Sequence, residues 1–201
     1  MAESDASQAS RRKVEGEAAL VRGLRSHEPE ACSEFYDRFA SRIHRFAASL
    51  LPGDAELAEE MVVQTLADAV RDVARFNPRR STLSAWLYGI ARRRIQAELR
   101  RRKRLKAVPE SAQIPLESIA EQPDAQDMAS SLAARLDAQR TVAALTGMLS
   151  TLEMEVLTLH CVDEMSLKEI GQAVGRSERA VHSLLCRARS KARERLAPDE
   201  R

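Results

Sequence analysis

Residues 166–188, SLKEIGQAVGRSERAVHSLLCRA, contain two short helical patterns separated by a glycine. Ser166 precedes the first pattern and Glu169 follows three residues later, which is the capping-box signature of a helix N-terminus. Gly175 suits the position just beyond a helix C-terminus, and Ser177 suits the cap of a second helix. Two capped helices joined by a tight, glycine-containing turn predict a helix-turn-helix.

The second helix of this pair has an apolar and a polar face. Val181, Leu184 and Leu185 recur at helical spacing, so we expect them to hold the helix against its own domain. In helix-turn-helix proteins the start of the second helix reads base edges, and basic residues further along contact phosphates. A solvated surface helix is the alternative. The candidate DNA contacts are Ser177, Arg179, His182, Ser183, Cys186, Arg187 and Arg189.

Upstream, residues 14–106 show the spacing of further amphipathic helices. Pro52 and Gly53 end one of them, and Asp54 can cap the next. A polar loop, NPRRS at 77–81, precedes a long helix that starts at Ser81 or Thr82. The apolar stripe of the helix before Pro52 steps by three or four residues through Phe35, Phe39, Ile43, Phe46 and Leu50.

The long helix ends in a dense run of positive charge. Residues 92–106 hold nine Lys or Arg against one Glu, a density that repels itself unless a polyanion is near. Trp86 and Tyr88 lie just before it, and aromatic residues beside basic ones suit single-stranded nucleic acid. The spacing of Trp86 also fits a core position, which we favour. The candidate contacts of this segment are Asn77, Arg79, Arg80, Ser81, Trp86, Arg92 and Arg93.

The overall charge conceals an uneven distribution. The 201 residues sum to +2, but residues 1–106 hold 21 basic and 15 acidic side chains, whereas residues 107–148 hold 2 and 6. A hydrophobic content of 44% argues against a disordered chain. No apolar run is long enough for a membrane span, and the N-terminus lacks a secretory signal. Three cysteines, an odd number, indicate a reducing compartment, so we expect a cytoplasmic protein.

These patterns predict an all-α protein with two small helical domains joined by a flexible linker. Residues 1–13 are expected to be a disordered extension, and residues 14–106 the first domain. Residues 107–130 form an acidic linker containing prolines, residues 131–197 the second domain, and residues 198–201 a tail.

Catalysis finds little support in the sequence. No glycine-rich phosphate-binding loop and no nucleophile motif is present, so we predict no enzymatic activity, no catalytic residue and no cofactor. His160, Cys161, His182 and Cys186 are the only cluster that resembles metal ligands. A metal-binding protein or enzyme is therefore an alternative, although His182 and Cys186 also fit other roles and we predict no metal site.

Two strings resemble one family in combination: WLYGIAR at 86–92 before the basic helix, and EIG at 169–171 followed by VHSLLCRAR at 181–189. The chain resembles bacterial RNA polymerase sigma factors of the extracytoplasmic-function (group 4) type, in the sigma-70 family, over about residues 30–104 and 140–197. The resemblance implies a sigma region 2-like bundle followed by a sigma region 4-like helix-turn-helix domain.

The resemblance also implies partners and roles. Such a protein binds core RNA polymerase at the β′ clamp helices and the β flap, melts the −10 element of promoter DNA and reads the −35 element. Most relatives are held inactive by an anti-sigma factor. The loop 77–81 matches the family's pocket for a flipped −10 base, Arg92 and Arg93 match its −10 helix, and His182, Ser183, Cys186 and Arg187 match its −35 contacts. The positions that match its polymerase-facing helix are Glu59, Glu60, Gln64 and Asp68.

A stand-alone helix-turn-helix regulator, binding duplex DNA as a dimer, is the alternative function. It accounts for residues 149–197 but leaves the WLYGIAR helix and its preceding loop without a role. No long heptad pattern suggests a dimer either.

Overall fold

The computed structural model describes residues 16–106, 144–145 and 147–196. Within these ranges every regular element is a helix, which confirms the predicted all-α class with two helical domains. The predicted N-terminal extension, linker and C-terminal tail lie outside the described residues. None of the described helices is long and apolar enough to cross a membrane.

The first domain consists of four α-helices and a short 3₁₀ turn. Residues 16–25 form helix α1. The others are α2 (Pro29–Leu50), α3 (Ala55–Asp72), the 3₁₀ turn Val73–Arg75 and α4 (Leu83–Lys106).

Local chemistry sets the helix boundaries of the first domain. Pro29 occupies the first turn of α2, where its missing N–H is not needed. The Asp54 carboxylate accepts a hydrogen bond from the Leu57 N–H at 3.0 Å and caps α3. The Thr82 hydroxyl oxygen lies 3.3 Å from the N–H of Ala85 and serves the start of α4 in the same way.

The core of the first domain follows the predicted stripe of α2. Phe35, Phe39 and Phe46 are buried, and Phe46 meets the ring of Tyr88 edge-on with the centroids 5.3 Å apart. Tyr88 is fully buried, so its interpretation as an aromatic that stacks on nucleic acid is wrong. Trp86 is half-buried and packs on Phe76, in agreement with the favoured core position.

The second domain has helices α5 (Thr151–Cys161), α6 (Leu167–Val174) and α7 (Glu178–Leu196). The capping box at Ser166 is present, and so is a second one, in which Ser150 and Glu153 cap α5. Gly175 has φ +68°, the left-handed conformation that lets α6 end without strain from a Cβ.

The two domains pack directly against each other. Helix α5 lies on α2, and α6 lies on α4. The Thr158 hydroxyl of α5 donates a hydrogen bond to the Ser49 hydroxyl of α2 at 3.1 Å, and both residues are buried. Together with the contiguous buried apolar side chains, these contacts join the domains into one body, which we did not anticipate from the sequence.

Candidate nucleic-acid interface

Helix α7 presents a polar face that is anchored by an apolar one. Val181, Leu184 and Leu185 are buried as the spacing predicts. The hydroxyl oxygen of Ser177 lies 3.3 Å from the N–H of Ala180, which caps the helix. All the candidate contacts of this helix are exposed: Ser177, Arg179, His182, Ser183, Cys186, Arg187 and Arg189.

The turn before α7 is tightly constrained. A Cβ added to Gly171 would lie 2.6 Å from the carbonyl oxygen of Arg176, so only glycine allows α6 to meet the turn this closely. The Arg176 N–H donates a hydrogen bond to the Gly171 carbonyl at 2.9 Å. Gly171 and Gly175 thereby set the angle between α6 and α7, on which presentation of α7 to a groove depends.

Glu153 ties α7 to α5. Its carboxylate accepts a hydrogen bond from Lys191 at 2.9 Å and lies 3.6 Å from the guanidinium of Arg187. The hydrogen bonds from Lys191 and Ser150 and the positive charge of Lys191 lower the pKa of Glu153 from 4.5 to about 2, the Lys191 bond having the largest effect. The predicted DNA contact Arg187 is therefore held in place by a carboxylate.

His182 and Cys186 lie side by side but do not form a metal site on their own. The Cys186 sulfur is 3.9 Å from Nδ1 and 4.0 Å from Nε2 of His182. Across the described residues, no three His, Cys, Asp or Glu side chains come together as metal ligands.

The loop 77–81 is exposed except for its last residue. The Asn77 side-chain oxygen accepts a hydrogen bond from the Arg79 N–H at 2.9 Å, which folds the loop into a local turn. Asn77, Arg79 and Arg80 are exposed, and Ser81 is half-buried. The loop therefore presents short polar and basic groups beside the start of α4.

The two arginines predicted to bind the −10 strand have different environments. Arg93 is exposed. Arg92 is only 22% exposed, and its Nε donates to Glu155 of the second domain at 2.7 Å. The candidate DNA-binding face of α4 is thus partly covered by the helix-turn-helix domain.

Two of the four candidate polymerase contacts are exposed, and the other two bind Arg94 of α4. Glu59 and Glu60 are exposed on α3. Asp68 is buried and pairs with Arg94 and Arg71, and the hydrogen bond from Arg94 is the largest cause that lowers the pKa of Asp68. Gln64 accepts a hydrogen bond from Arg94 at 2.6 Å. Gln64 and Asp68 thus join α3 to α4.

Sequence reasoning missed the acidic residues that face the first domain. Residues 153–169 hold five acids and one base, but this charge count does not indicate which of the acids face the first domain. Glu155 and Asp163 instead point at arginines of the first domain, and their side chains are inaccessible to solvent. Burial and the Asp163 carboxylate raise the pKa of Tyr88.

Comparisons with known proteins agree with this architecture. The family model described as Sigma-70 region 2 matches residues 35–105, and that described as Sigma-70, region 4 matches residues 139–191. The extracytoplasmic-function RNA polymerase sigma factor BldN of Streptomyces coelicolor is 26% identical over 182 residues, which span 90% of this chain and 66% of that protein. The chain thus spans just under two thirds of the length of this relative.

Two solved structures have a similar fold. RpoE from Bartonella quintana, solved in complex with the anti-sigma factor NepR, has a TM-score of 0.64 and 28% identity, with 83% of this chain and 97% of that chain covered. CnrH, solved with the cytosolic domain of CnrY, has a TM-score of 0.65 and 22% identity, with 91% and 98% covered.

Two helical domains that match sigma-70 regions 2 and 4 define a sigma factor, and the chain belongs to the sigma-70 family. Its relative BldN is a sigma factor of the extracytoplasmic-function type, which is the type that the sequence resembles. The family is not a class of enzymes, and the alternative of a stand-alone dimeric regulator is not favoured.

Proposed function

We propose that this sigma factor binds core RNA polymerase in the cytoplasm and directs it to promoters through two DNA contacts. Residues 14–106 bind and melt the −10 element, and residues 131–197 read the −35 element. The observation that carries this proposal is α7, whose polar face is exposed on a fixed helix-turn-helix. The chain itself performs no reaction and needs no cofactor, because the polymerase supplies the phosphoryl transfer.

The −35 contact is assigned to the start and middle of α7. Arg179, His182 and Ser183 lie where helix-turn-helix proteins reach base edges, and Arg187 and Arg189 lie where they reach phosphates. Ser183 donates its hydroxyl to the Arg179 carbonyl at 3.1 Å, so its oxygen is left to accept. This combination suits a duplex and not a small molecule.

The −10 contact is assigned to the loop 77–81 and to α4. Extruding a base costs a few kcal/mol of stacking, so the receiving site needs an amide or hydroxyl that bonds to the base edge. Asn77 and Ser81 supply such groups, and Arg79, Arg80 and Arg93 supply charge for the strand. Trp86, which is half-buried, offers only its exposed edge.

Protein partners are assigned to two surfaces. The exposed acids Glu59 and Glu60 lie one helical turn before Val63 on α3, and Val63 is 63% exposed, which is unusual for a valine. This patch suits the β′ clamp of the polymerase, with the β flap as the contact of the second domain. The solved complex of RpoE with NepR supports an anti-sigma factor as a further partner.

Run-off transcription with added core polymerase tests the proposal directly. Reversing charge in Arg187→Glu is expected to weaken −35 duplex binding at least tenfold and to leave polymerase binding unchanged, whereas Arg22→Glu on α1 changes neither. Equal loss of both activities in Arg187→Glu would contradict the assignment.

A second pair of variants tests the loop. Asn77→Ala is expected to reduce open-complex formation, read by permanganate reactivity at the −10 element, more than closed-complex formation. Asn77→Asp keeps the acceptor that bonds the Arg79 N–H but lacks the amide donor. If Asn77→Asp restores melting, the residue shapes the loop and does not contact the base.

A further inference from the structure

Two side chains of helix α1 contact the backbone on either side of the loop 77–81. Arg25 reaches the chain just before the loop, and Glu17 reaches the chain just after it. Helix α1, at residues 16–25, lies outside the segment 35–105 that matches Sigma-70 region 2. Neither side chain is therefore among the positions that the family resemblance assigned to DNA or polymerase.

Arg25 holds the beginning of the loop. Its Nη2 donates a hydrogen bond to the carbonyl oxygen of Phe76 at 2.8 Å, and its Nε donates to the carbonyl oxygen of Val73 at 3.4 Å, in the 3₁₀ turn after α3. The last carbonyl groups of a helix lack partners within it and carry partial negative charge, so a guanidinium suits them. Because Phe76 directly precedes Asn77, Arg25 fixes the point at which the loop starts.

The side chain of Phe76 fixes the same point from the opposite direction. It is buried, and its ring centroid lies 5.3 Å from that of Trp86 on α4. The backbone of Phe76 is extended, so the chain changes here from a helical turn to the loop. The ring of Phe76 is thus held by α4 and its carbonyl by α1, and the starting position of Asn77 depends on both helices.

Glu17 holds the end of the loop. Its carboxylate accepts a hydrogen bond from the N–H of Leu83, the first residue of α4. The N–H groups of a first helical turn have no partner within the helix, and a carboxylate also complements the positive end of the helix dipole. The Thr82 hydroxyl serves the N–H of Ala85 in the same turn. The start of α4, and with it the end of the loop, is therefore held by α1.

Helix α1 is itself fixed in the core of the first domain. Glu17, Val21 and Arg25 lie at i, i+4 and i+8, so they share one face, and the two charged residues are about 12 Å apart along the helix axis. Val21 is buried between them, and so are Leu20 and Leu24. A packed helix thus presents a carboxylate and a guanidinium at a set separation.

The hydrogen bonds inside the loop join near neighbours. The Asn77 side-chain oxygen accepts from the Arg79 N–H at 2.9 Å, and the Asn77 carbonyl accepts from the Arg80 N–H at 3.0 Å. Such bonds determine the shape of the turn but not its position on the first domain. That position depends on the residues to which the two ends of the loop are attached.

We propose that Glu17 and Arg25 are positioning residues for −10 recognition: they fix the two ends of the loop 77–81 and so place the Asn77 amide where an extruded base is received. The inference rests on the −10 role proposed above for this loop. Neither side chain has to contact DNA. A site that receives an unstacked base gains affinity when its polar groups are already held in place, because ordering them on binding would cost free energy.

Amide hydrogen exchange in the full chain tests whether α1 holds the loop. Arg25→Ala is expected to speed exchange in residues 77–83 about tenfold, because both hydrogen bonds to the preceding turn are lost. Exchange in α2 should not change, since the buried residues of α1 remain. Arg22→Ala is the matched control, because Arg22 is an exposed arginine one turn earlier on the same helix.

Glu17→Ala tests the other end of the loop in the same way. It removes the acceptor of the Leu83 N–H, so exchange at Leu83 is expected to rise about tenfold. Glu17→Gln keeps an oxygen that can accept this bond and should restore most of the protection. Glu34→Ala on α2 is the control, because Glu34 is also an exposed glutamate. Equal exchange in Glu17→Gln and Glu17→Ala would overturn the role of this hydrogen bond.

Holoenzyme made with each variant tests whether the placement of the loop matters for promoter opening. A promoter fragment that wild-type holoenzyme opens is prepared with one abasic site at each position of the −10 strand in turn. Open complex is read by permanganate, and wild type should lose most at the position whose base is captured. Arg25→Ala is expected to lower opening of the intact fragment about tenfold, to lose this dependence on the captured base and to keep its affinity for core polymerase.

The outcomes separate positioning from a general structural role and from the proposed function. Unchanged loop exchange in Arg25→Ala and Glu17→Ala overturns the inference, and so does a released loop with normal opening. A variant that loses activity by the same factor at every abasic position has a general defect, which also refutes positioning. If wild-type holoenzyme opens no promoter, the proposed function fails, and the exchange measurements still decide whether α1 fixes the loop.

Discussion

Glu153→Gln is the substitution whose effect follows most directly from the structure. Glutamine keeps an oxygen that can accept the Ser150 N–H at the start of α5, so the capping box survives. What it removes is the negative charge that holds Lys191 and Arg187 of α7. The variant therefore isolates the charge that joins the two helices.

The pKa of Glu153 sets an upper bound on the effect. One pKa unit corresponds to about 1.4 kcal/mol, so a pKa lowered from 4.5 to about 2 sets a ceiling of about 3 kcal/mol. Lys191 and Arg187 are 40% and 61% exposed, and solvent screens such partners. We expect about 1–2 kcal/mol at pH 7.

The lowered pKa of Glu153 also determines whether its contribution to stability rises or falls with pH. Because folding lowers the pKa, the stabilisation is fully present above the unfolded value of 4.5 and is lost as the pH falls toward about 2. The difference in unfolding free energy between wild type and Glu153→Gln should therefore shrink by roughly half between pH 7 and pH 3.

Amide hydrogen exchange in α5 and α7 is the appropriate assay. The single tryptophan, Trp86, lies in the first domain, so its fluorescence does not report on these helices directly. Glu59→Gln on the exposed face of α3 is the matched control and should change neither helix. The electrostatic account of this contact is refuted if wild type and Glu153→Gln have the same stability at pH 7. It is also refuted if the difference between their stabilities stays constant down to pH 3.

Three further substitutions have defined outcomes. Gly175→Ala places a Cβ at φ +68° and should cost about 1–2 kcal/mol of stability, measured by thermal denaturation. Gly147→Ala is the control and should be neutral, because a Cβ there meets no neighbour within 4 Å. Equal melting temperatures of the two variants would contradict the strain argument. Asp54→Ala removes the cap of α3 and the 2.6 Å contact to Arg102, with an expected loss of about 1 kcal/mol in urea denaturation; no loss would mean that solvent replaces the cap. Asp68→Asn leaves Arg94 and Arg71 without their carboxylate and should lower the urea midpoint at pH 7. Unchanged stability would mean that these pairs do not stabilise the fold and that Asp68 is free to contact polymerase.

The helix ends of the second domain were predictable because their causes are local. Ser150, Ser166 and Ser177 cap helices through N–H groups three residues away, and Gly175 supplies a backbone conformation that other residues adopt with strain. Such interactions depend only on neighbours in the chain. The same holds for the stripe of α2, whose spacing alone places Phe35 and Phe39 inside.

Helix α4 was harder to interpret because it is covered from more than one direction. A single apolar stripe assigns Leu83, Leu87 and Ile90 to the core, and these are buried. Tyr88 lies off that stripe, and its place beside the basic run suggested an aromatic residue that contacts nucleic acid. It is buried because α2 meets its ring and Asp163 of the second domain lies beside its hydroxyl, and such tertiary neighbours leave no periodic signal.

The role of the acidic residues of the second domain could not be read from charge alone. An arginine-rich surface predicts an anionic ligand, but carboxylate and phosphate satisfy the same guanidinium donors. With 27 arginines in the sequence, nothing in the pattern pairs Arg92 with Glu155 and not with DNA. Only the packing of the two domains brings the Glu155 carboxylate to within 2.7 Å of Arg92, and such a tertiary contact leaves no signal in the charge pattern of the sequence.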